Sequence, residues 1–238
     1  METSYIPLST GIPALDRVFR NVMPGDNIVW QIDSIDEYIP FVRPFAENAL
    51  LRGGRLVYIS FGLHERLIGE DGGAEVHVVD PHAGFESATS EIHRIMGRAG
   101  RGAFFLFDCI SDLADAWNSD LMLSNFYVLT CPYVYDMDSI AYFALIRNRH
   151  SLHVTSRIRD TAQILVDVYR HRDELYVHPI KVWQRHSPTM YLPHIWEDTT
   201  FRPVTDSATV SEVVSAVMGT GLDNASRVID IWDRTFMQ

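Results

Sequence analysis

The stretch Ala103-Phe104-Phe105-Leu106-Phe107-Asp108-Cys109-Ile110-Ser111-Asp112-Leu113 decides the fold class. Its run Ala103 to Phe107 is apolar without a break, lies between Gly102 and Asp108, and is too short for a buried helix. It reads as a strand covered on both faces, and such strands belong to parallel sheets with helices packed on either side. Working outward, Asn27 to Gln31, Leu56 to Phe61, Glu75 to Val79 and Ile140 to Ile146 read as further strands. Helical patterns alternate with them. One short helix follows Pro13, one ends near Arg52 before Gly53-Gly54, one spans Gly84 to Arg98, and Ile110 to Leu129 is largely helical. This alternation predicts an α/β fold built on a mostly parallel sheet.

After residue 146 the pattern changes. Thr161 to Tyr169, Glu174 to Trp183 and Met190 to Trp196 read as consecutive strands, with Arg172-Asp173 as a hairpin turn. They predict antiparallel late strands on the same sheet. Ala208 to Met218 and Asn224 to Phe236 read as helices, which divides the chain into a core over 1–205 and a C-terminal helical extension over 206–238. The last helix carries Val228, Ile231, Trp232 and Phe236 on one face. That face is expected to be covered by a partner or by further chain.

Composition excludes several classes. With 238 residues and 47% apolar content the chain can bury a sizeable core. A net charge of −11 and the lack of any basic run count against nucleic-acid binding. No apolar run approaches membrane-spanning length and no signal sequence opens the chain, so no membrane role and a cytoplasmic location are expected. The two cysteines, Cys109 and Cys131, offer neither a disulfide framework nor metal-ligand spacing. Of the 20 basic residues only one is lysine, Lys181. Any chemistry that needs a lysine must use it.

Several segments together resemble the RecA/KaiC-like ATPases over roughly residues 6 to 200. Ser9-Thr10-Gly11-Ile12-Pro13-Ala14-Leu15-Asp16 is similar to that family's entry segment "STGIPGLD". Leu50-Leu51-Arg52-Gly53-Gly54-Arg55-Leu56-Val57-Tyr58-Ile59-Ser60 resembles its "LKRGEPVLYVS". Phe104 to Leu113 resembles its Walker B strand, with Asp108 at the acidic position. The resemblance implies a RecA-like three-layer sandwich, and it places the family's phosphate loop on Ile32 to Pro40.

Nothing functional survives there. A phosphate loop needs glycines, so that successive backbone N–H groups converge on phosphate oxygens, and a lysine for charge. No glycine occurs from Asp26 to Arg52, the lysine position is Tyr38, and the Mg²⁺-binding hydroxyl position is Ile39. Asp33, Asp36 and Glu37 stand beside Ser34 where a polyphosphate would lie, and like charges at close range oppose it by about 1 kcal/mol per pair even in water. The family's water-activating glutamate pair falls on Gly62-Leu63. Asp108 alone cannot run phosphoryl transfer. It is expected either to cap the following helix or, less favoured, to bind a metal.

Local structure around the degenerate loop is also predicted. Ser34 to Glu37 has capping-box spacing and should form its own short turn. The next helix should start near Pro40 and be distorted around Pro44. The resemblance further implies ring-like assembly through the late hairpin, where Lys181 and Arg185 are the interface candidates. Lys181 is expected either to stand solvated at a strand edge or to meet Asp33, Asp36 or Glu37 of a neighbour.

Other constellations read as structural. His77, Asp80 and His82 cluster at a strand end without zinc-site spacing, His150 and His153 sit i, i+3 near Arg149, and His171, His178 and His186 fall in the late strands. Nucleophilic catalysis has little support, since Cys109 has no nearby histidine in sequence. Tyr38, Trp183, Tyr191, His194 and Trp196 are candidates for lining a pocket or interface. The expectation is a non-catalytic RecA/KaiC-like module in assembly or regulation of a larger protein, with no cofactor, no catalytic residue and no metal. Its partners would be copies of itself or an attached catalytic domain. The alternatives are an accessory domain of a phosphoenolpyruvate synthase-like phosphotransferase, or an enzyme or sensor binding a different small ligand in the old nucleotide crevice.

Overall fold

Along the first strand, Asn27–Ile32 (β1), successive side chains leave on opposite sides, as strand geometry requires. Ile28, Trp30 and Ile32 enter one core and Val29 the other, and all four are fully buried. The other strands are Leu56–Ser60 (β2), Glu75–Val78 (β3), Phe104–Cys109 (β4), Ile140–Ile146 (β5), Ile164–His171 (β6), Glu174–Val182 (β7), His194–Glu197 (β8) and Thr200–Pro203 (β9). The computed structural model describes residues 8–69 and 73–215. It joins these nine strands into one sheet in the order β3-β2-β4-β5-β1-β6-β7-β8-β9. β3 through β6 run parallel, and β6-β7-β8-β9 are antiparallel.

Helices cover both faces. Pro13–Phe19 (α1) and Ile39–Leu51 (α2) pack on the face holding Trp30, Tyr58 and Tyr142. Phe85–Ala99 (α3), Ser111–Ala116 (α4), Asp120–Asp136 (α5) and Leu152–Thr161 (α6) pack on the face holding Val29, Phe107 and Phe143. The result is an α/β fold of three layers. Trp30 stacks on Phe41 at 4.2 Å between ring centroids and Phe45 stacks on Tyr142 at 3.9 Å. Such pairs contribute about 0.5–1.5 kcal/mol each beyond the area they bury, so they pin α2 to the sheet.

The entry segment Ser9 to Asp16 is held by one carboxylate. Asp16 accepts from Ser9 Oγ at 2.6 Å, from the Thr10 amide at 2.8 Å and from Thr10 Oγ1 at 2.7 Å. Gly11 has φ +80°, and a Cβ there would lie 2.0 Å from the Pro44 carbonyl oxygen. The glycine is therefore needed for the loop to approach α2.

Several boundaries differ from the sequence reading. Ile110 to Leu129 is two helices, because Asn118 takes φ 47° and Ser119 caps α5 by accepting from the Met122 amide. α5 then continues past Pro132 to Asp136, since buried Tyr127, Cys131 and Val134 hold the helix on both sides of the proline. α6 lies where no element was read and ends on Thr161, the first residue of the expected strand, so β6 begins at Ile164. Met190 to Trp196 contains Pro193, which has no N–H for a ladder, and the strand is confined to His194–Glu197. It turns at Asp198 (φ 50°) into β9, which was not anticipated. Arg172 and Asp173 do form the expected tight turn, with φ 50° and 65°. A helix over 207–215 (α7) matches the first part of the expected C-terminal extension, and Asn224 to Phe236 lies outside the described residues. No described helix is long and apolar enough to cross a membrane.

Candidate functional site at the carboxyl ends of the strands

The chain leaves β1 for a strand three places away in the sheet, past β5 and β4, so the crevice beyond the carboxyl ends of β1, β4 and β5 is where open α/β sheets usually hold ligands. Here several of the protein's own side chains converge on those strand ends.

Ile35–Glu37 forms a separate 3-10 turn, and α2 begins at Ile39 and runs through Pro44. Ser34 makes no side-chain capping bond, which corrects the capping-box reading. Instead Glu37 reaches back one residue further and accepts from the Asp33 amide at 2.9 Å. Glu37 is buried, and burial pushes its carboxyl above the ordinary carboxylate range. Tyr38 is fully buried against the sheet and its hydroxyl has no hydrogen-bond partner. It packs behind the loop as part of the core.

Arg147, which the sequence reading passed over, closes the crevice. It follows β5 directly, and its amide extends the ladder by donating to the Ile32 carbonyl at 2.8 Å. Its side chain, 6% exposed, donates to Asp33 at 2.8 Å, to the Gln31 carbonyl at 3.1 Å and to the Val168 carbonyl at 2.5 Å. Its Nε lies 3.6 Å from Asp167, and its guanidinium stands 5.0 Å above the centre of the Tyr169 ring. Burial pushes the Asp167 carboxyl up although Arg147 opposes it. The network continues outward from Tyr169 to His178, whose Nε2 meets the Tyr191 carbonyl at 3.1 Å. Burial holds His178 below its ordinary range. Asp33 is thus paired by a cation of its own chain.

Asp108 is fully buried and fully engaged. It accepts from the Tyr58 hydroxyl, from Ser60 Oγ at 2.9 Å and from the Phe61 amide at 2.7 Å, with His64 Nε2 at 3.7 Å. The capping expectation is corrected, since α4 has no side-chain cap and Asp108 ties β4 to the end of β2. Burial beside this carboxylate also raises the Tyr58 phenol well above its ordinary range. Among the described residues no group of three or more histidine, cysteine, aspartate or glutamate side chains gathers as a metal site. His77 pairs with Glu75 at 2.8 Å, and Asp80 accepts from the His82 amide.

One arrangement had no sequence signal beyond a lone histidine. His150 Nε2 lies 2.7 Å from Ser111 Oγ, and its Nδ1 lies 2.5 Å from Asp120 Oδ1. The order serine, histidine, aspartate is that of a nucleophile, its base and the orienting acid. Yet Ser111 is wholly buried, and its Oγ also accepts from the Ile146 amide at 2.8 Å. No substrate reaches that oxygen. The three residues instead clasp the starts of α4 and α5 to the end of β5, with the Ser151 amide donating to Asp120 at 2.9 Å. Burial holds His150 below its usual range, against the pull of Asp120. Burial likewise pushes the Cys109 thiol up to about 12, so it is no thiolate nucleophile.

The two interface candidates also have internal partners. Arg185 is buried and bidentate to Asp26, at 2.8 and 2.9 Å, and donates to the Asn21 carbonyl at 2.7 Å. That corrects its assignment to a subunit surface. Lys181 donates to the carbonyls of Arg159 and Asp160, both at 2.8 Å, and so caps the end of α6. Of the aromatic candidates, Trp183 and Tyr191 are 40% and 44% exposed, Trp196 packs between Phe41 and Phe201, and His194 is buried. No family model matches the chain, and no curated protein matches it.

Proposed function

We propose that this chain is a RecA/KaiC-like module that has lost ATP binding and hydrolysis and acts in the assembly or regulation of a larger protein. One observation carries the reading. The place where a triphosphate would lie is occupied from within by Arg147, Asp33 and Glu37, while Asp108 spends its carboxylate on β2. A nucleotide would have to break those contacts without a lysine or a glycine loop to replace them. The fully buried positions of Tyr38, Asp108 and Ser111 equally disfavour a different ligand in the same crevice.

Calorimetric titration of the full chain with ATP and Mg²⁺ tests this. No heat of binding is expected at millimolar nucleotide. A micromolar dissociation constant would refute the reading, because it requires about 8 kcal/mol from a closed crevice.

A further inference from the structure

α5 packs against α3 and α6 and turns one face outward. Its sequence is unlike that of a surface helix. Between Asp120 and Asp136 it carries no charged residue. The other long helices bear exposed charges on their outer faces, Arg43 and Glu47 on α2, Glu86 and Arg94 on α3, Arg159 and Asp160 on α6. The outward positions of α5 are instead Leu121, Met122, Val128, Leu129, Pro132 and Tyr135. Of these, Leu121, Met122, Leu129 and Tyr135 are between 38% and 53% exposed. A helix that is apolar all round belongs in an interior, where its outer face also leaves water.

The apolar stripe continues past the helix at both ends. At the carboxyl end Tyr135 meets the Trp183 ring edge-on, with centroids 6.1 Å apart, and Trp183 is itself exposed. Tyr135 also packs on the turn that holds Gly25 and the exposed Met23. At the amino end the Ser151 amide donates to Asp120, which brings the start of α6, with exposed Leu152, to the start of α5.

Spacing, area and charge together say what fits this face. Positions 121, 125, 128, 132 and 135 step by four and three residues in turn, the seam by which one helix lies lengthwise on another. The polar member, Asn125, already accepts from Arg157 at 2.8 Å, so its carbonyl is satisfied within the chain. Taking roughly 150–250 Å² for a whole side chain, Leu121, Met122, Leu129, Tyr135, Trp183 and Met23 leave about 500 Å² of apolar surface in water. One partner of a standard interface contributes about 800 Å², somewhat over half of it apolar, which is the same amount. Two chains that each carry a net charge of −11 repel one another over most approaches, and least where a face has no charge. An uncharged apolar seam is also its own complement, as a two-fold contact requires.

We propose that the outer face of α5 docks on the same face of a second copy of this chain, giving a two-fold dimer with antiparallel α5 helices. Val128, midway along the seam, then stands opposite its counterpart in the copy. The contact is independent of the strand-end crevice, so ATP binding there would leave it standing.

Sedimentation velocity of the full chain from about 5 to 200 µM, where interfaces of this size associate, reads the mass. Twice the 27.2 kDa of one chain is expected at the upper end. Leu129→Glu sets carboxylates against one another in the seam and is expected to weaken association by roughly a hundredfold. It should keep the wild-type circular dichroism and melting temperature of the monomer, because Leu129 is exposed there. Leu51→Glu, exposed at the end of α2 on the other face of the sheet, should leave the mass unchanged. Val128→Cys should form an intermolecular disulfide on mild oxidation, while Leu51→Cys should not, since the bond needs Cα atoms within about 7 Å. The native Cys109 and Cys131 are both buried and give no background. A monomer at the highest concentration, or a dimer that survives Leu129→Glu, would overturn the proposal. A dimer that Val128→Cys fails to cross-link would overturn the two-fold arrangement. A monomeric wild type that Leu129→Glu destabilises would overturn it in favour of residues 216–238 of the same chain as the occupant.

Discussion

Arg147→Met probes the closure of the crevice directly. Methionine keeps most of the aliphatic stem, so packing changes little and the loss is mainly that of the guanidinium. That group meets Asp33, two backbone carbonyls and the Tyr169 ring, and it is the cation nearest buried Asp167. Removing one partner of a buried charge pair typically costs about 3–5 kcal/mol, because the other charge stays buried and uncompensated. The Asp33 contact adds little to this, since Asp33 is 48% exposed and solvent screens it. For a chain of this size each kcal/mol shifts the melting temperature by roughly 2–4 °C, so a fall of about 6–20 °C is expected.

The pH dependence gives that prediction a sign. Burial already raises Asp167 above its ordinary 3.8, and loss of Arg147 removes what held it down. An acid with a raised folded pKa destabilises the protein above that pKa and ceases to do so once protonated. The deficit of Arg147→Met should therefore shrink as pH falls through the raised range of Asp167. Adding Asp167→Asn to the variant should restore part of the loss at pH 7. Urea unfolding at pH 7.5 and pH 5 measures both effects. A loss under about 1 kcal/mol at pH 7.5, or a deficit that grows on acidification, would refute the view of Arg147 as the counter-cation of a closed crevice.

Asp108→Asn should destabilise by about 1–3 kcal/mol, because an amide cannot accept from the Tyr58, Ser60 and Phe61 donors together; equal stability by thermal unfolding would return Asp108 to the metal reading. His150 is buried with its pKa held down, so the unfolded chain takes up a proton that the folded chain does not as pH drops through about 6.5. Stability of the wild type should thus fall more than that of His150→Asn between pH 8 and pH 5.5, and parallel curves in denaturant titrations would contradict this. Lys181→Met should cost about 0.5–1 kcal/mol by uncapping α6, with the mass by light scattering unchanged; a change in mass would give Lys181 a role between subunits.

What the sequence made legible follows from how local each signal is. The strands β1, β2, β4 and β5 were readable because each is a short apolar run whose burial needs both sheet faces. The Arg172-Asp173 turn was readable because it must satisfy its own geometry. α6 was missed because only Val154 and Ile158 of its ten residues are buried, so its apolar face is too sparse to stand out. The split of α4 from α5 rests on Asn118 adopting a left-handed backbone, a choice that single residues announce poorly. The site divided in the same way. The absence of glycine and lysine between β1 and α2 was plain, since a phosphate loop is a contiguous motif. The contacts that stand there were not, because Arg147 lies 114 residues from Asp33 and His150 lies 39 from Ser111. Arg147 carries one local hint, a cation directly after a buried apolar strand, where it must either reach solvent or find a carboxylate. In this fold the sheet order sets β5 beside β1, so the carboxylate it finds is that of Asp33, just past the end of β1. The acidic turn and the arginine are therefore one feature read in two places, and the charge that looked like a barrier to an anionic ligand is the partner of a cation far along the chain.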